Sequence, residues 1–287
     1  IRKHDTTAVM IGSHMEYLYL WPSLWANNIA VIYRVGDGPI WDSPFHRFAM
    51  KRLLKRATLV SPVSHYIADQ CAQLLPSSRQ KTHVIWNIPP SFGQKDQCDT
   101  HTPSTSNTLR IVYVGQMTEK KGVRVLIQAL IDIHPSVPFE CRIVGGSQFS
   151  SDFEQEIRDL VEANGLADII IFTGRVPNPT PHYEWANLHV APSLYEEPFG
   201  LVIVEAKRGH IPSIVFPRGG MSELVEHQKN GWVCNEATPD ALADAITQCA
   251  QSPLSEWGEA AHQNHLQAFS QERFANDWMQ LLSHLDT

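Results

Sequence analysis

Short apolar runs alternate with longer amphipathic segments along most of the chain. The apolar runs, rich in Val, Ile and aromatic residues, predict strands at 7–13, 29–35, 58–61, 82–86, 110–114, 140–144, 169–172, 188–191 and 213–216. Helical spacing predicts helices at 44–57, 63–75, 122–133, 152–164, 239–250 and 271–285, preceded by an aromatic-rich helical segment that we expect to break near Pro22. Strands alternating with helices indicate βα units and parallel sheets.

One polar stretch interrupts this pattern. From 94 to 108 the residues are mostly Asp, Thr, Ser, Pro and Asn, which predicts a linker. The chain therefore divides into an α/β domain over 1–93, a second over 109–268 and a last helical segment over 269–287.

Composition narrows the class of protein. With 287 residues, 43% hydrophobic and 18% charged, the chain has the composition of a globular protein, and its net charge of -7 argues against nucleic-acid binding. The five cysteines are scattered without a CxxC pair, which predicts no structural zinc and a reducing compartment. Because no apolar run is long enough to span a membrane or to form a signal peptide, we expect a cytoplasmic location.

The segment 195–205 is the strongest candidate for chemistry. It reads Tyr-Glu-Glu-Pro-Phe-Gly-Leu-Val-Ile-Val-Glu and follows the predicted strand 188–191, so it predicts a turn that leads into a helix. Pro198 fixes one backbone angle and Gly200 frees another, which lets amides converge at the helix start, where phosphates bind. Glu197 and Glu205 are expected to face a common crevice. The alternative is two surface carboxylates near a βα turn.

A second candidate follows the strand 110–114. Gly115 ends that strand, and Lys121 precedes Gly122 where the next helix begins, so the helix dipole and the ammonium group both favour phosphate. An ordinary solvated helix start is the alternative.

Together these segments resemble the retaining glycosyltransferases of family 4 (group 1). Glu197 and Glu205, with Pro-Phe-Gly-Leu between them, resemble the Glu-x7-Glu motif of that family, and Lys121 matches the lysine of its diphosphate-holding segment. Gln116 occupies a position that is often arginine in the family, so diphosphate binding is expected to depend more on Lys121.

The resemblance implies roles for named residues. Glu197 holds sugar hydroxyls, Glu205 the ribose, and His14 matches a histidine near the sugar in some members; its alternative is an exposed loop histidine. The implied catalytic residues are Glu197 and His14, and the implied donor contacts are Gly115, Gln116, Lys121, Gly174, Arg175, Phe199, Gly200, Leu201, Val202 and Glu205. No metal or other cofactor is expected, because lysine and the helix dipole take its place and no Asp-x-Asp motif occurs.

The resemblance also implies the fold. It is GT-B, an α/β fold with two Rossmann-like domains and parallel sheets: a partial acceptor domain over 1–93 and a donor domain over 109–268, with the helix at 269–287 packing back on the first. No strand with a Gly-Gly loop precedes Thr7, so the N-terminal part of the acceptor domain is expected to be missing.

The implied activity is transfer of a sugar, with retention, from a UDP- or GDP-type donor to a glycan, lipid or other hydroxyl acceptor, in polysaccharide or glycolipid synthesis. The alternatives are a sugar phosphorylase, a nucleotide-sugar epimerase, or a nucleotide-sugar-binding module that is inactive as a truncated chain.

The predicted helix 44–57 concentrates positive charge in an acidic chain. Its cations are Arg47, Lys51, Arg52, Lys55 and Arg56. They predict peripheral contact with an anionic membrane surface on its inner face. A solvated basic face is the alternative.

Overall fold

The computed structural model describes residues 6–26, 29–37, 43–89, 108–147 and 151–285. Backbone contacts divide the chain into two compact units, the first formed by Ile1–Asn87 with Gln271–Thr287 and the second by Ile88–Ser270. Apart from Thr108, the predicted linker lies outside the described residues.

The described parts of the chain contain nine strands and ten α-helices. The strands are β1 Ala8–Ile11, β2 Ala30–Val35, β3 Leu59–Pro62, β4 Leu109–Val114, β5 Phe139–Val144, β6 Ile170–Gly174, β7 Leu188–Ala191, β8 Ser213–Val215 and β9 Gly231–Val233. The helices are α1 His14–Ala26, α2 Pro44–Arg56, α3 His65–Leu74, α4 Val123–Ile133, α5 Ser151–Ala163, α6 Thr180–Trp185, α7 Leu201–Arg208, α8 Pro239–Ala250, α9 Leu254–Ala268 and α10 Gln271–Ser283.

The first unit contains a parallel sheet in the order β1-β2-β3. The predicted break near Pro22 is wrong, because α1 continues through that residue. Tyr17 and Leu24 are 2% and 1% exposed on either side of Pro22, so burial holds both halves of the helix in place against the local preference of proline.

The predicted strand at 82–86 is also wrong. This segment forms only an isolated bridge between Thr82 and Val60, although the His83 and Ile85 amides still donate to β3 carbonyls at 2.9 and 3.1 Å. The Arg34 guanidinium reaches across from β2 and donates to the carbonyl oxygens of Ser61 and Ile85 at 3.3 and 2.8 Å. A side chain thus takes the Ile85 carbonyl, which a regular strand would pair with backbone.

The helix α10 packs on the first unit. Leu281 is 2% exposed and lies in a buried cluster with Ile32, Leu59 and Ile85. The Trp278 ring lies 5.5 Å from the Arg34 guanidinium carbon, within the range of a cation–π contact. The last helix of the chain therefore completes the core of the unit with which the chain begins.

The second unit is a six-stranded parallel sheet in the order β6-β5-β4-β7-β8-β9. Numbered from β4, this is the order 3-2-1-4-5-6 of the Rossmann fold. Side chains alternate across β4: Ile111 and Tyr113 face a core shared with α4, α5 and α8, whereas Val112 lies in a second cluster with residues of α6 and α7. Helices therefore cover both faces of this sheet.

Three of these elements, α6, α9 and β9, were not predicted. The inward side of α9 carries His262 and His265, which are 8% and 3% exposed, so the buried face lacks the apolar repeat that would have indicated a helix. The strand β9 has only three residues, which is too short to show a period.

None of the helices in the described ranges combines the length and the apolar character that crossing a bilayer requires.

Docking of α10 is testable by truncating one of its buried side chains. Leu281→Ala should lower the free energy of unfolding of the first unit by about 2–5 kcal/mol, because a buried leucine leaves a cavity. Hydrogen exchange should then rise in β2 and β3 but not in β4 to β8. The control is Leu282→Ala, since Leu282 is 43% exposed. Equal effects of the two substitutions would contradict this packing.

Candidate functional site

The site lies where the order of the second sheet reverses. The strands β4 and β7 are neighbours, and their connections run toward opposite edges of the sheet. Ligands of open α/β sheets bind at such a switch point, beyond the carboxyl ends of the strands. Here those ends carry the loop 115–122 after β4 and the loop 192–200 after β7.

Backbone contacts join these two loops. The amides of Leu194 and Tyr195 donate to the carbonyl oxygen of Lys120 at 2.9 and 3.2 Å. Gly122 has φ 73°, and a Cβ there would collide with the carbonyl of Pro192. Glycine is required at this position by both its left-handed conformation and the close approach of the second loop.

The side chains of Lys121 and Glu197 meet across the two loops. Lys121 Nζ forms an ion pair with Glu197 Oε1, and the Ser193 hydroxyl donates to the same oxygen at 3.0 Å. The Glu197 side chain is only 14% exposed, and that of Lys121 is 36% exposed. Sequence analysis predicted both residues as site residues, and the fold places an ammonium and a carboxylate together at the switch point.

The helix α7 begins directly after this pair. Gly200 precedes its first turn in a left-handed conformation, and no side chain caps the N–H groups there. Phe199 is 4% exposed and packs edge-on against Phe269, with 6.3 Å between ring centroids. Free amides at a helix start carry partial positive charge, so the amide end of α7 lies next to Glu197 in the chain and suits an anion.

Glu205 lies one turn inside α7 and has different partners. Its Oε2 accepts a hydrogen bond from the Tyr183 hydroxyl at 3.0 Å, and the same hydroxyl lies 3.2 Å from the carbonyl oxygen of Val202. Burial raises the pKa of the Glu205 carboxyl above its ordinary value, although the Tyr183 bond opposes the shift. The described contacts do not link Glu205 to the Lys121–Glu197 pair, so their common crevice stays a prediction.

A pocket of about 260 Å³ opens at the ends of β4, β5 and β6. Its lining residues are Val114, Gly115, Gln116, Val144, Gly145, Gly146, Arg175, Val176 and Pro179. Three predicted donor-binding residues, Gly115, Gln116 and Arg175, therefore lie together, and Gly174 ends β6 directly before Arg175. The Gly145–Gly146 turn was not among the predicted site residues.

The remaining predicted residue lies in the first unit. His14 is the first residue of α1, and its side chain lies outside the described residues. Its catalytic role stays a prediction.

Sequence reasoning missed Ser193, Tyr183 and Glu196. Ser193 precedes Glu197 by four positions in the loop after β7, and this closeness was the one available signal. Tyr183 and Glu196 contact residues 22 and 23 positions away, at Glu205 and Gly219, so only the fold brings each pair together. No three His, Cys, Asp or Glu side chains in the described ranges form a group that could hold a metal ion.

Comparison with known proteins identifies the family. The family described as "Glycosyl transferases group 1" matches residues 108–252, about half of the chain. The chain belongs to this family of group 1 glycosyltransferases.

Two curated relatives are similar over most of the chain. An uncharacterized glycosyltransferase of Methanocaldococcus jannaschii is 27% identical over 269 residues, which is 90% of this chain and 66% of that protein. The amylovoran biosynthesis glycosyltransferase AmsK of Erwinia amylovora is 26% identical over 215 residues, 72% of this chain and 51% of that protein. The chain spans 51% to 66% of the length of the first curated relatives it matches.

A solved structure shows the same fold. The crystal structure of Anabaena HepE in complex with UDP superposes with a TM-score of 0.81 at 21% identity, covering 97% of this chain and 78% of that one. The predicted fold class, α/β with parallel sheets and GT-B architecture, is confirmed.

If Lys121 binds the diphosphate as the sequence predicts, Lys121→Ala should weaken UDP binding by roughly 1.5–3 kcal/mol, about 10- to 150-fold in Kd, because the substitution removes a charge-assisted contact. Isothermal titration calorimetry measures this effect. Lys120→Ala is the matched control, since Lys120 is the exposed neighbour of Lys121 and its side chain instead lies 5.9 Å from the Tyr195 ring. If the two substitutions have the same effect on Kd, Lys121 has no phosphate role.

Proposed function

We propose that this chain carries the donor-binding and catalytic residues of a retaining glycosyltransferase, which moves a sugar from a UDP- or GDP-type donor to a hydroxyl acceptor. The observation that carries the proposal is the Lys121–Glu197 pair at the switch point, next in sequence to the uncapped start of α7. Group 1 family membership supports the reaction class.

The pair suits a sugar diphosphate because each member has a separate task. Lys121 and the amides of Gly200 and Leu201 offset the negative charge that grows on the leaving diphosphate. Glu197 accepts hydrogen bonds from sugar hydroxyls. The Ser193 hydroxyl holds the Glu197 carboxylate in place by donating to its Oε1. When a donor binds, its diphosphate replaces the Glu197 carboxylate as the partner of Lys121.

The pocket at the ends of β4 to β6 is assigned to the nucleobase. Glycine backbone at 115 and 145–146 leaves room for a flat ring between valine side chains and Arg175. Glu205 is assigned to the ribose, with Tyr183 holding one of its oxygens. The HepE complex contains UDP, which makes UDP the first nucleotide to test.

The donor, the stereochemistry and the need for metal are each testable. A melting screen with UDP, GDP and ADP identifies the base, because a ligand that binds the folded state raises Tm. Retention predicts that the product keeps the anomeric configuration of the donor. We expect EDTA to leave donor binding unchanged, since Lys121 and α7 supply the positive charge.

Turnover that requires free phosphate indicates a phosphorylase, and turnover without acceptor indicates an epimerase.

The acceptor is proposed to be a glycan or lipid in polysaccharide or glycolipid synthesis. The relative AmsK is named for amylovoran biosynthesis, which supports a polysaccharide product. The positive charge of the first unit supports the proposal that the reaction takes place at a lipid surface. The described residues of this unit, in 6–26, 29–37, 43–87 and 271–285, include nine Lys or Arg and five Asp or Glu, whereas the chain as a whole has a net charge of -7.

Exposed aromatic side chains accompany these cations on α1 and α2. Tyr19, Phe45 and Phe48 are 82%, 56% and 61% exposed. The Arg52 guanidinium lies 5.3 Å from the Trp21 ring and 5.4 Å from the Phe48 ring, so the aromatic and basic residues of the two helices are adjacent. Cations mixed with aromatic rings are typical of surfaces that bind the headgroup region of a bilayer.

Glu197→Ala should reduce transfer by at least about 100-fold while Tm stays within a few degrees of wild type, because Glu197 is assigned to the sugar that reacts. Product formation from a radiolabelled donor measures transfer. Glu236→Ala is the control, since Glu236 is an exposed carboxylate beyond β9. Full transfer by the Glu197 variant would remove this residue from the site.

Arg47→Glu combined with Lys51→Glu should weaken binding to phosphatidylglycerol vesicles by roughly 30-fold or more, since each cation near an anionic surface contributes about 1 kcal/mol. Cosedimentation measures the partition coefficient. The control, Lys229→Glu combined with Arg273→Glu, makes the same change in net charge at two exposed ion pairs elsewhere. An equal loss in both double variants would show that only net charge matters and that the α2 surface is not the contact.

A further inference from the structure

The segment after β8 packs against the loop 192–200, and Glu196 of that loop forms hydrogen bonds with it. Glu196 Oε2 accepts a hydrogen bond from the Gly219 amide at 2.6 Å, and its Oε1 accepts one from Arg218 Nη1 at 3.2 Å. The next amide, that of Gly220, donates to the carbonyl oxygen of Glu197 at 2.7 Å. The consecutive amides of Gly219 and Gly220 therefore donate to the consecutive residues Glu196 and Glu197. Glu197 is the residue proposed to bind the sugar.

Only glycine fits at position 219, where these two segments meet. Its φ is 58°, and a Cβ there would collide with the backbone of Glu196 and Glu197. The same segment continues into Met221 and Leu224, both 3% exposed, and their side chains lie where a Cβ on Gly200 would point. The segment thus supports the loop at two places, the backbone of Glu197 and the start of α7.

The two contacts of Glu196 differ in strength. The side chains of Glu196 and Arg218 are 45% and 43% exposed, so water screens their ion pair and it contributes little. The bond from the Gly219 amide to a carboxylate is short and charge-assisted. The hydrogen bond from the Gly219 amide, and not the ion pair with Arg218, should therefore decide what Glu196 does, and losing the reach to this amide should cost more than losing the charge.

We propose that Glu196 is a positioning residue, which holds the Gly219–Gly220 turn against the Glu197 backbone and so fixes the direction of the Glu197 carboxylate toward the donor sugar. This inference rests on the proposed function, because the sugar is the ligand assigned to Glu197. Glu196 itself is not assigned a contact with the donor. Its effect should therefore appear in the handling of the sugar and not in the binding of the nucleoside diphosphate.

Two substitutions at Glu196 separate reach from charge. Glu196→Gln keeps the length and an oxygen that accepts from Gly219, whereas Glu196→Asp keeps the charge and shortens the side chain by one methylene. We expect the Gln variant to keep kcat within about threefold of wild type and the Asp variant to lose about tenfold or more, as expected for a lost bond to a charged group. Kd for UDP should change by less than twofold in both, and Arg218→Ala should resemble the Gln variant.

The readouts are calorimetry with UDP, the rate of UDP release from UDP-glucose (or of nucleoside diphosphate from the nucleotide sugar that the melting screen selects), and hydrogen exchange of peptides covering 216–224. Faster exchange in the Asp variant alone, with unchanged UDP binding and reduced kcat, supports positioning. A harmful Gln substitution with a harmless Asp substitution would overturn the proposal in favour of a role for the charge. Parallel loss of Tm, UDP binding and kcat would overturn it in favour of general structural support.

Failure of the proposed function gives a different result. In that case the wild-type chain neither binds a nucleoside diphosphate nor turns over a nucleotide sugar. The hydrogen-exchange measurement still tests the contact between Glu196 and Gly219. Equal exchange of 216–224 in wild type and the Asp variant would show that Glu196 does not hold the turn.

Discussion

The close approach of the loops after β4 and β7 is the constraint on which the rest of the site depends. Parallel strands whose connections diverge leave a gap between their carboxyl ends, and here that gap is bridged by backbone bonds to the Lys120 carbonyl and by the Lys121–Glu197 pair. Gly122 permits this approach because no larger residue fits beside Pro192. A cation and a carboxylate that are far apart in sequence thus become one site.

Burial and hydrogen bonding give the two glutamates of the motif different characters. Glu197 is held by an ammonium and a hydroxyl at the edge of solvent, whereas Glu205 lies deeper against Tyr183, where burial raises its pKa. Tyr183 is itself packed edge-on against His189, with 5.7 Å between ring centroids, and burial lowers the pKa of His189 to about 3, so that ring is neutral at pH 7. An uncharged, rigid support behind Glu205 suits the role proposed for it, which is to orient a ribose.

In the first unit, one half-buried arginine on β2 joins several segments. Arg34 binds carbonyls of β3 and of the following extended segment, its Nη2 donates to Asn87 Oδ1 at 2.5 Å, and it lies beside Trp278 of α10. Burial lowers its pKa to about 10, which leaves it charged at neutral pH. Both the outgoing chain near Asn87 and the returning helix are therefore tied to the same guanidinium group.

The sequence by itself determined the alternation of strands and helices and the parallel sheets, and it singled out Lys121, Glu197 and Gly200 as candidate site residues, because hydrophobic period and turn chemistry act over a few neighbouring positions. It did not determine that α1 runs through Pro22, that 82–86 is not a strand, or that α9 forms around buried histidines, since burial and the reach of Arg34 decide these. The contacts of Glu196 with Gly219 and of Tyr183 with Glu205 also belong to the tertiary structure alone. Each joins residues more than twenty positions apart, and only the folded chain sets such distances.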